Sequence, residues 1–177
     1  MKKFAWLLFL TGFPLLSYEY KPKQWLWRAI VGNSVYFVKD SRTLMTNGIL
    51  SGVEVEYMLD SNFSVTSAFR PLFATNSLEI GFGFGAKYRF VGKKSRLVPF
   101  VGFGLTPSVF MPTTASSKPH FNLGLRPTAG FEYFVARNLA LGIEAALNPS
   151  FVMGGGTKNT MEATVEVLLG VTFLTGL

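Results

Sequence analysis

The stretch Glu79–Phe90 alternates without a slip. Ile80, Phe82, Phe84, Ala86, Tyr88 and Phe90 share one parity, and Glu79, Gly81, Gly83, Gly85, Lys87 and Arg89 share the other. A period of two is that of a β-strand. A helix would mix the two sets, and each glycine inside it would cost about 1 kcal/mol. The strand therefore has one apolar face and one face of glycine and charge. Which face points inward decides what kind of protein this is.

The same pattern recurs along the chain and predicts eight strands. The first is placed at 24–38, with Trp25, Trp27, Ala29, Val31, Val35 and Phe37 opposite Arg28, Gly32 and Ser34. The second, 45–59, sets Ile49, Val53, Val55 and Tyr57 against Gly52, Glu54 and Glu56. The third, 63–71, has Val65 and Phe69 opposite Thr66 and Arg70, and the fourth is the opening stretch. The fifth and sixth are placed at 97–111 and 120–134, the seventh at 139–147 and the eighth at 160–173. Connections one, three (Pro71–Ser77), five and seven are expected to be the longer ones, and the even ones tight turns such as Asp60-Ser61-Asn62. An even count of strands with unequal connections suits an all-β, eight-stranded antiparallel up-and-down transmembrane barrel, with both termini on the short-turn side. Pro107 and Pro127 fall inside strands, where each removes a ladder hydrogen bond, so a bulge or break is expected near each.

Volume decides the facing. An eight-stranded barrel has an interior just wide enough for side chains. The large apolar residues of eight strands would overfill it, whereas glycine, alanine, serine and threonine suit it. Apolar-out requires lipid, and a closed barrel satisfies every backbone group there. Composition agrees: 49% of residues are hydrophobic and 15% charged, against roughly 25% charged in a typical soluble domain. At 177 residues one domain is expected.

This facing puts Glu54, Glu56, Glu79, Glu132, Glu144, Glu162 and Glu166 in the lumen with Arg28, Arg70, Lys87, Arg89 and Arg126. Unpaired charges there are costly, so the two sets are expected to interlock and plug the barrel. Trp25, Trp27, Tyr57, Phe63, Tyr88, Phe90, Phe131, Tyr133 and Phe173 fall on outward positions near the short turns, as one aromatic girdle. Phe37, Phe69, Phe110 and Phe121 are read as aromatics of the loop side.

The N-terminus reads as an export signal. Lys2-Lys3 precedes an apolar run, Phe4–Leu16, too short and too broken by Gly12 and Pro14 to span a bilayer. Residues 1–17 are expected to be a signal peptide and 18–177 the barrel domain, with an uncleaved anchor as the alternative. The absence of cysteine excludes disulfides, thiolate metal sites and cysteine nucleophiles. No cofactor or metal is expected. The net charge of +7 is read as contact with anionic lipid, not nucleic acid, because no dense basic stripe with interleaved aromatics occurs. Lys39, Arg42, Lys118 and Lys158 are candidates to pair with lipopolysaccharide phosphates.

Val98–Gly104, Ala129–Phe134 and Asn138–Glu144 have the look of strands of small Gram-negative outer-membrane barrels. Over Gln24–Phe173 the chain resembles the transmembrane domain of outer-membrane protein A, the adhesin-like X proteins and the opacity family. That resemblance implies a monomer in outer-membrane lipid and lipopolysaccharide, inserted by the barrel-insertion machinery, which reads a terminal aromatic such as Phe173. It implies a non-enzymatic structural or surface-display protein, with a small channel for ions or hydrophobic molecules as the alternative. A lipid A-modifying enzyme is the third reading. Against it, the single histidine, His120, has Asn122 where the lipid A deacylases place a serine. Asp60-Ser61, one of the two Asp-Ser pairs, lies in a turn on the wrong side for the palmitoyltransferases.

Overall fold

The computed structural model describes residues 20–38, 47–92, 95–113, 118–154 and 160–175. They form eight strands: β1 (Trp25–Val38), β2 (Asn47–Met58), β3 (Phe63–Ala74), β4 (Ser77–Arg89), β5 (Leu97–Pro112), β6 (His120–Ala136), β7 (Leu139–Gly154) and β8 (Thr160–Thr175). Each strand pairs antiparallel with its sequence neighbours, and β1 pairs with β8, so the sheet closes into a barrel. Closure removes the free edges that lipid would not tolerate. Among the described residues no helix is long and apolar enough to cross a membrane, so crossing falls to the strands.

The alternation sets the facing as the volumes require. On β4, Phe82 and Phe84 are 48% and 54% exposed, while Gly81, Gly83, Lys87 and Arg89 between and beside them are buried. The same holds for Val53 against Glu54, Phe131 against Glu132 and Val167 against Glu166. A belt of exposed Val, Leu and Phe around the whole circumference is stable only against hydrocarbon.

The larger departures from the sequence expectation concern β3, β4 and β7. β3 runs on to Ala74 and β4 starts at Ser77, so the third connection is the two-residue turn Thr75-Asn76, not a 71–77 loop. The reason is visible beyond Pro71: Leu72 turns inward and Phe73 outward, continuing the alternation. β7 continues past Leu147 to Gly154, with Asn148 and Ser150 inward and Phe151 outward. The connection after β4 spans residues 90–96, so connection length alone does not distinguish the two ends.

The strand prolines produce gaps without bulges. The β4–β5 ladder steps from Gly81↔Ser108 to Phe84↔Leu105 across Pro107. The β6–β7 ladder steps from Gly124↔Ser150 to Thr128↔Ala146 across Pro127 and Pro149. A third step, from Leu50↔Leu72 to Val53↔Phe69, crosses Pro71. Register is the same on both sides of each step. Proline lacks the N–H for one ladder bond, and the opposite strand holds the chain in line.

The facing has a direct test. Phe82→Arg puts a charge on the lipid face and is expected to destabilise the refolded barrel by about 2–4 kcal/mol near the midplane. Denaturant titration in lipid vesicles, read by the heat-modifiable gel shift, measures it. Insertion at wild-type stability would reverse the facing.

Candidate functional site

The lumen is filled in layers. At the end that carries the described N- and C-terminal residues, Tyr20, Leu26, Met58, Val98, Phe134, Ala140 and Leu174 form a buried apolar plug. Those on strands share the inward parity of the charges. The sequence reading missed them because it treated the inward face as polar and small.

Above the plug runs one chain of alternating charges. The Tyr20 hydroxyl donates to Glu132 Oε2 at 2.5 Å, and Arg89 Nε donates to the same oxygen at 2.9 Å. Arg89 Nη2 reaches Glu56 at 2.7 Å, and Lys87 bridges Glu56 and Glu54 at 2.7 and 2.9 Å. Glu54 also takes Arg70 at 2.7 Å and Arg28 at 3.5 Å. Arg28 pairs with Glu144, which takes Arg126 at 2.8 Å, and Arg126 reaches Glu166 at 2.8 Å. The chain joins five cations to five carboxylates and touches every strand except β5. β5 supplies Phe100 instead, whose buried ring lies 4.7 Å from Lys87 Nζ and 5.7 Å from the Arg28 guanidinium.

Glycine makes room for these long side chains. A Cβ at Gly170 would overlap the Arg28 guanidinium, and one at Gly83 would lie 3.6 Å from that of Arg70. Arg28 Nε and Nη2 have no hydrogen-bond partner, because that side of the group lies over the bare Gly170 backbone.

Two further lumen carboxylates were expected, Glu79 and Glu162. Glu79 accepts from Ser108 Oγ and from Asn122 Nδ2 at 3.3 Å, and meets no cation among the described residues. Glu162 is buried at the loop end of β8, opposite Ser150. A second apolar cluster, Ile30, Leu50, Leu72, Phe110 and Leu168, also faces inward. Phe110 is thus a lumen residue, only 3% exposed, and not a loop-side aromatic of the outer surface. Phe69 and Phe121 do face outward, while the Phe37 side chain lies outside the described residues.

The predicted girdle positions are brought together on the outer surface. Trp25 pairs with Tyr57, Trp27 with Phe173, Phe63 with Tyr88, and Leu97 with Tyr133 across adjacent strands. The Trp25 and Tyr57 rings are 4.8 Å apart, and those of Tyr88 and Phe90 5.2 Å. Trp25, Trp27, Tyr88, Phe90, Phe131 and Phe173 are exposed, while Tyr57, Phe63 and Tyr133 are half-buried.

Tyr20 is the functional residue that sequence reading passed over. It precedes β1 in a polar lead-in with no periodicity. Its ring packs edge-on against Phe134 at 5.3 Å and lies 4.6 Å from the Arg89 guanidinium. The backbone reaches this position through Lys23, whose φ of 64° is left-handed, and Lys23 N donates to Met58 O at 2.8 Å.

Among the described residues no constellation for nucleophilic catalysis assembles around His120. Its ring stacks on Phe110 at 4.4 Å, and the Ser108 hydroxyl goes directly to Glu79 with no imidazole between. Asp60 Oδ1 accepts from the Asn62 and Phe63 amides at 2.7 Å, which is turn chemistry. Asp40, Ser41, Ser116, Ser117, Lys39, Arg42 and Lys158 lie outside the described residues, as does the predicted signal peptide. Lys118 is exposed beside the start of β6.

No family model matches the chain, and no curated protein matches it in sequence. Solved structures do. The N-terminal β-barrel domain of Pseudomonas aeruginosa OprF is similar with a TM-score of 0.60 at 18% identity, covering 87% of this chain and 100% of that one. The Neisserial surface protein A (NspA) gives 0.61 at 18%, covering 84% and 96%. The Pseudomonas aeruginosa outer membrane protein OprG gives 0.58 at 11%, covering 89% and 98%. The chain has the fold of a small outer-membrane β-barrel. At these identities the likeness shows the fold and nothing finer.

Two substitutions test the packing of this barrel. Gly170→Val displaces the Arg28 guanidinium and leaves Glu144 and Glu54 short of a cation. It is expected to cost about 3–5 kcal/mol in denaturant titration, as breaking a buried pair does. Tyr20→Phe removes one hydrogen bond to a charged acceptor and is expected to cost about 1.5–3 kcal/mol in the same assay. A wild-type midpoint for either variant would mean that the side chain is not packed as described.

Proposed function

We propose that the protein is a non-enzymatic barrel of the outer membrane with a closed lumen, serving the envelope as a structural or surface-display component. The observation that carries this reading is the double closure of the lumen. A dry apolar plug containing Tyr20 and Phe134 lies under a neutral chain of ion pairs that ties the strands together. An ion entering from the loop end would have to break buried pairs before it reached the plug, at several kcal/mol each, and one entering from the other end would meet the plug first. Both termini lie in the periplasm on this reading, and the girdle around Trp25, Tyr88 and Phe173 marks that interface. The partners are outer-membrane lipid and lipopolysaccharide, with exposed Lys118 on the loop side to meet lipid phosphates. The insertion machinery acts during biogenesis.

The channel reading has one observation in its favour. The lumen above the plug is not completely filled, and it holds cavities of about 20 and 40 Å³. Bilayer recording separates the two. The closed-barrel reading expects no steady unitary openings from the refolded protein, and regular openings at modest voltage would overturn it. The enzyme reading expects His120→Ala to abolish a lipid A modification, whereas a display protein leaves lipid A unchanged.

A further inference from the structure

We propose that the loop-side chamber of the lumen is a binding site for a small organic cation carrying N–H donors, such as a primary amine, with Glu79 as its charge partner. The argument begins with a balance. The five lumen cations are taken up by Glu54, Glu56, Glu132, Glu144 and Glu166. Glu79 is left with neutral donors only. Its strand neighbours on both sides are inward apolar residues, Leu72 on β3 and Phe110 on β5. The two hydrogen bonds it accepts, from Ser108 and Asn122, both fall on Oε1. Its Oε2 meets no donor among the described residues.

The second observation is independent of that carboxylate. Asn122 and Thr164 are 4% and 5% exposed, and their Oδ1 and Oγ1 atoms have no hydrogen-bond partner. Buried acceptors of this kind are normally satisfied. Both line the same chamber as Glu79, Asn148 and Glu166, a cavity of about 40 Å³. That is room for an ammonium group, which is about the size of a water molecule. Glu79 and Asn148 keep partial exposure, so the chamber is reachable by water.

Beside one carboxylate with no cation partner stand the vacant Asn122 Oδ1, the Thr164 hydroxyl and, across the chamber, the vacant Arg70 Nε. A ligand with N–H donors and a positive charge complements the carboxylate and the two oxygens, and its hydrogen bonds to the carboxylate are charge-assisted. A bare metal ion fits less well, because no group of three or more metal-binding side chains is gathered anywhere among the described residues. An anion is opposed by Glu79. Arg70, also on this wall, already spends its charge on Glu54.

The test uses the full barrel refolded in detergent micelles and titrated with 1,4-diaminobutane, followed by the NMR signals of the Asn122 side-chain amide. A saturable shift is expected. Glu79→Gln should raise the Kd at least about tenfold, a loss of about 1.4 kcal/mol, while heat-modifiable migration stays that of a folded barrel. Asp60→Asn, in the β2–β3 turn, should leave the Kd unchanged. Neutral 1,4-butanediol and anionic succinate should not bind. The proposal fails if the wild type shows no saturable shift, if Glu79→Gln binds as tightly, or if butanediol or succinate binds equally well. Should Glu79→Gln not fold, Thr164→Val removes one vacant acceptor, and an unchanged Kd in that variant also overturns the site. The readout needs no current, so an empty chamber and a conducting lumen remain separate results.

Discussion

Glu54 is the junction of the lumen. It is 2% exposed and meets Lys87, Arg70 and Arg28, from three different strands. A carboxylate in that position without its cations would carry a desolvation penalty of several kcal/mol. Its strand therefore cannot shift relative to β1, β3 or β4 without leaving charge unpaired. Arg28 extends the same constraint to Glu144 on β7, and Arg126 carries it to Glu166 on β8. Backbone ladders close the barrel, but any antiparallel register would do that. The ion pairs are what distinguish the observed register from its neighbours.

This depends on an inversion of the usual division between core and surface. In lipid the large apolar side chains are outside, and the narrow interior must be filled by something else. Long charged side chains fill it only where the facing wall is bare, which is why Gly170 and Gly83 lie under Arg28 and Arg70. The plug below the chain keeps water out. Excluding water strengthens each remaining pair, since the attraction between charges scales inversely with local dielectric.

The strict alternation around Phe82 and Gly83 made the fold, the facing and the membership of the lumen legible in the sequence. Partner choice was not legible. Alternation places Glu79 and Arg126 on the same face, but barrel stagger and side-chain reach decide that Arg126 meets Glu144 and Glu166 instead. Leu26, Met58, Val98, Phe134 and Leu174 carried a readable signal: each is an apolar residue on the inward parity at the turn end of its strand. Tyr20 carried none, because its role depends on Glu132, which lies 112 residues away in the chain. The end of β3 was misplaced because Pro71 reads as a terminator, while the barrel tolerates it by omitting ladder bonds on the β2 side.

The two halves of the lumen are thus built for different ends. At the plug end the carboxylates are fully partnered: Glu132 takes Tyr20, Arg89 and Thr172, and Glu56 takes Arg89, Lys87 and Ser64. At the loop end Glu79 has only hydroxyl and amide donors, and acceptors stand vacant beside it. Stability alone does not account for that contrast. Leu72 and Phe110 flank Glu79 across the strands, so a third apolar residue there would extend the adjacent cluster at no electrostatic cost. A carboxylate held in place by neutral donors, with one oxygen left facing an open polar space, is the arrangement expected where the missing countercharge comes from outside the chain.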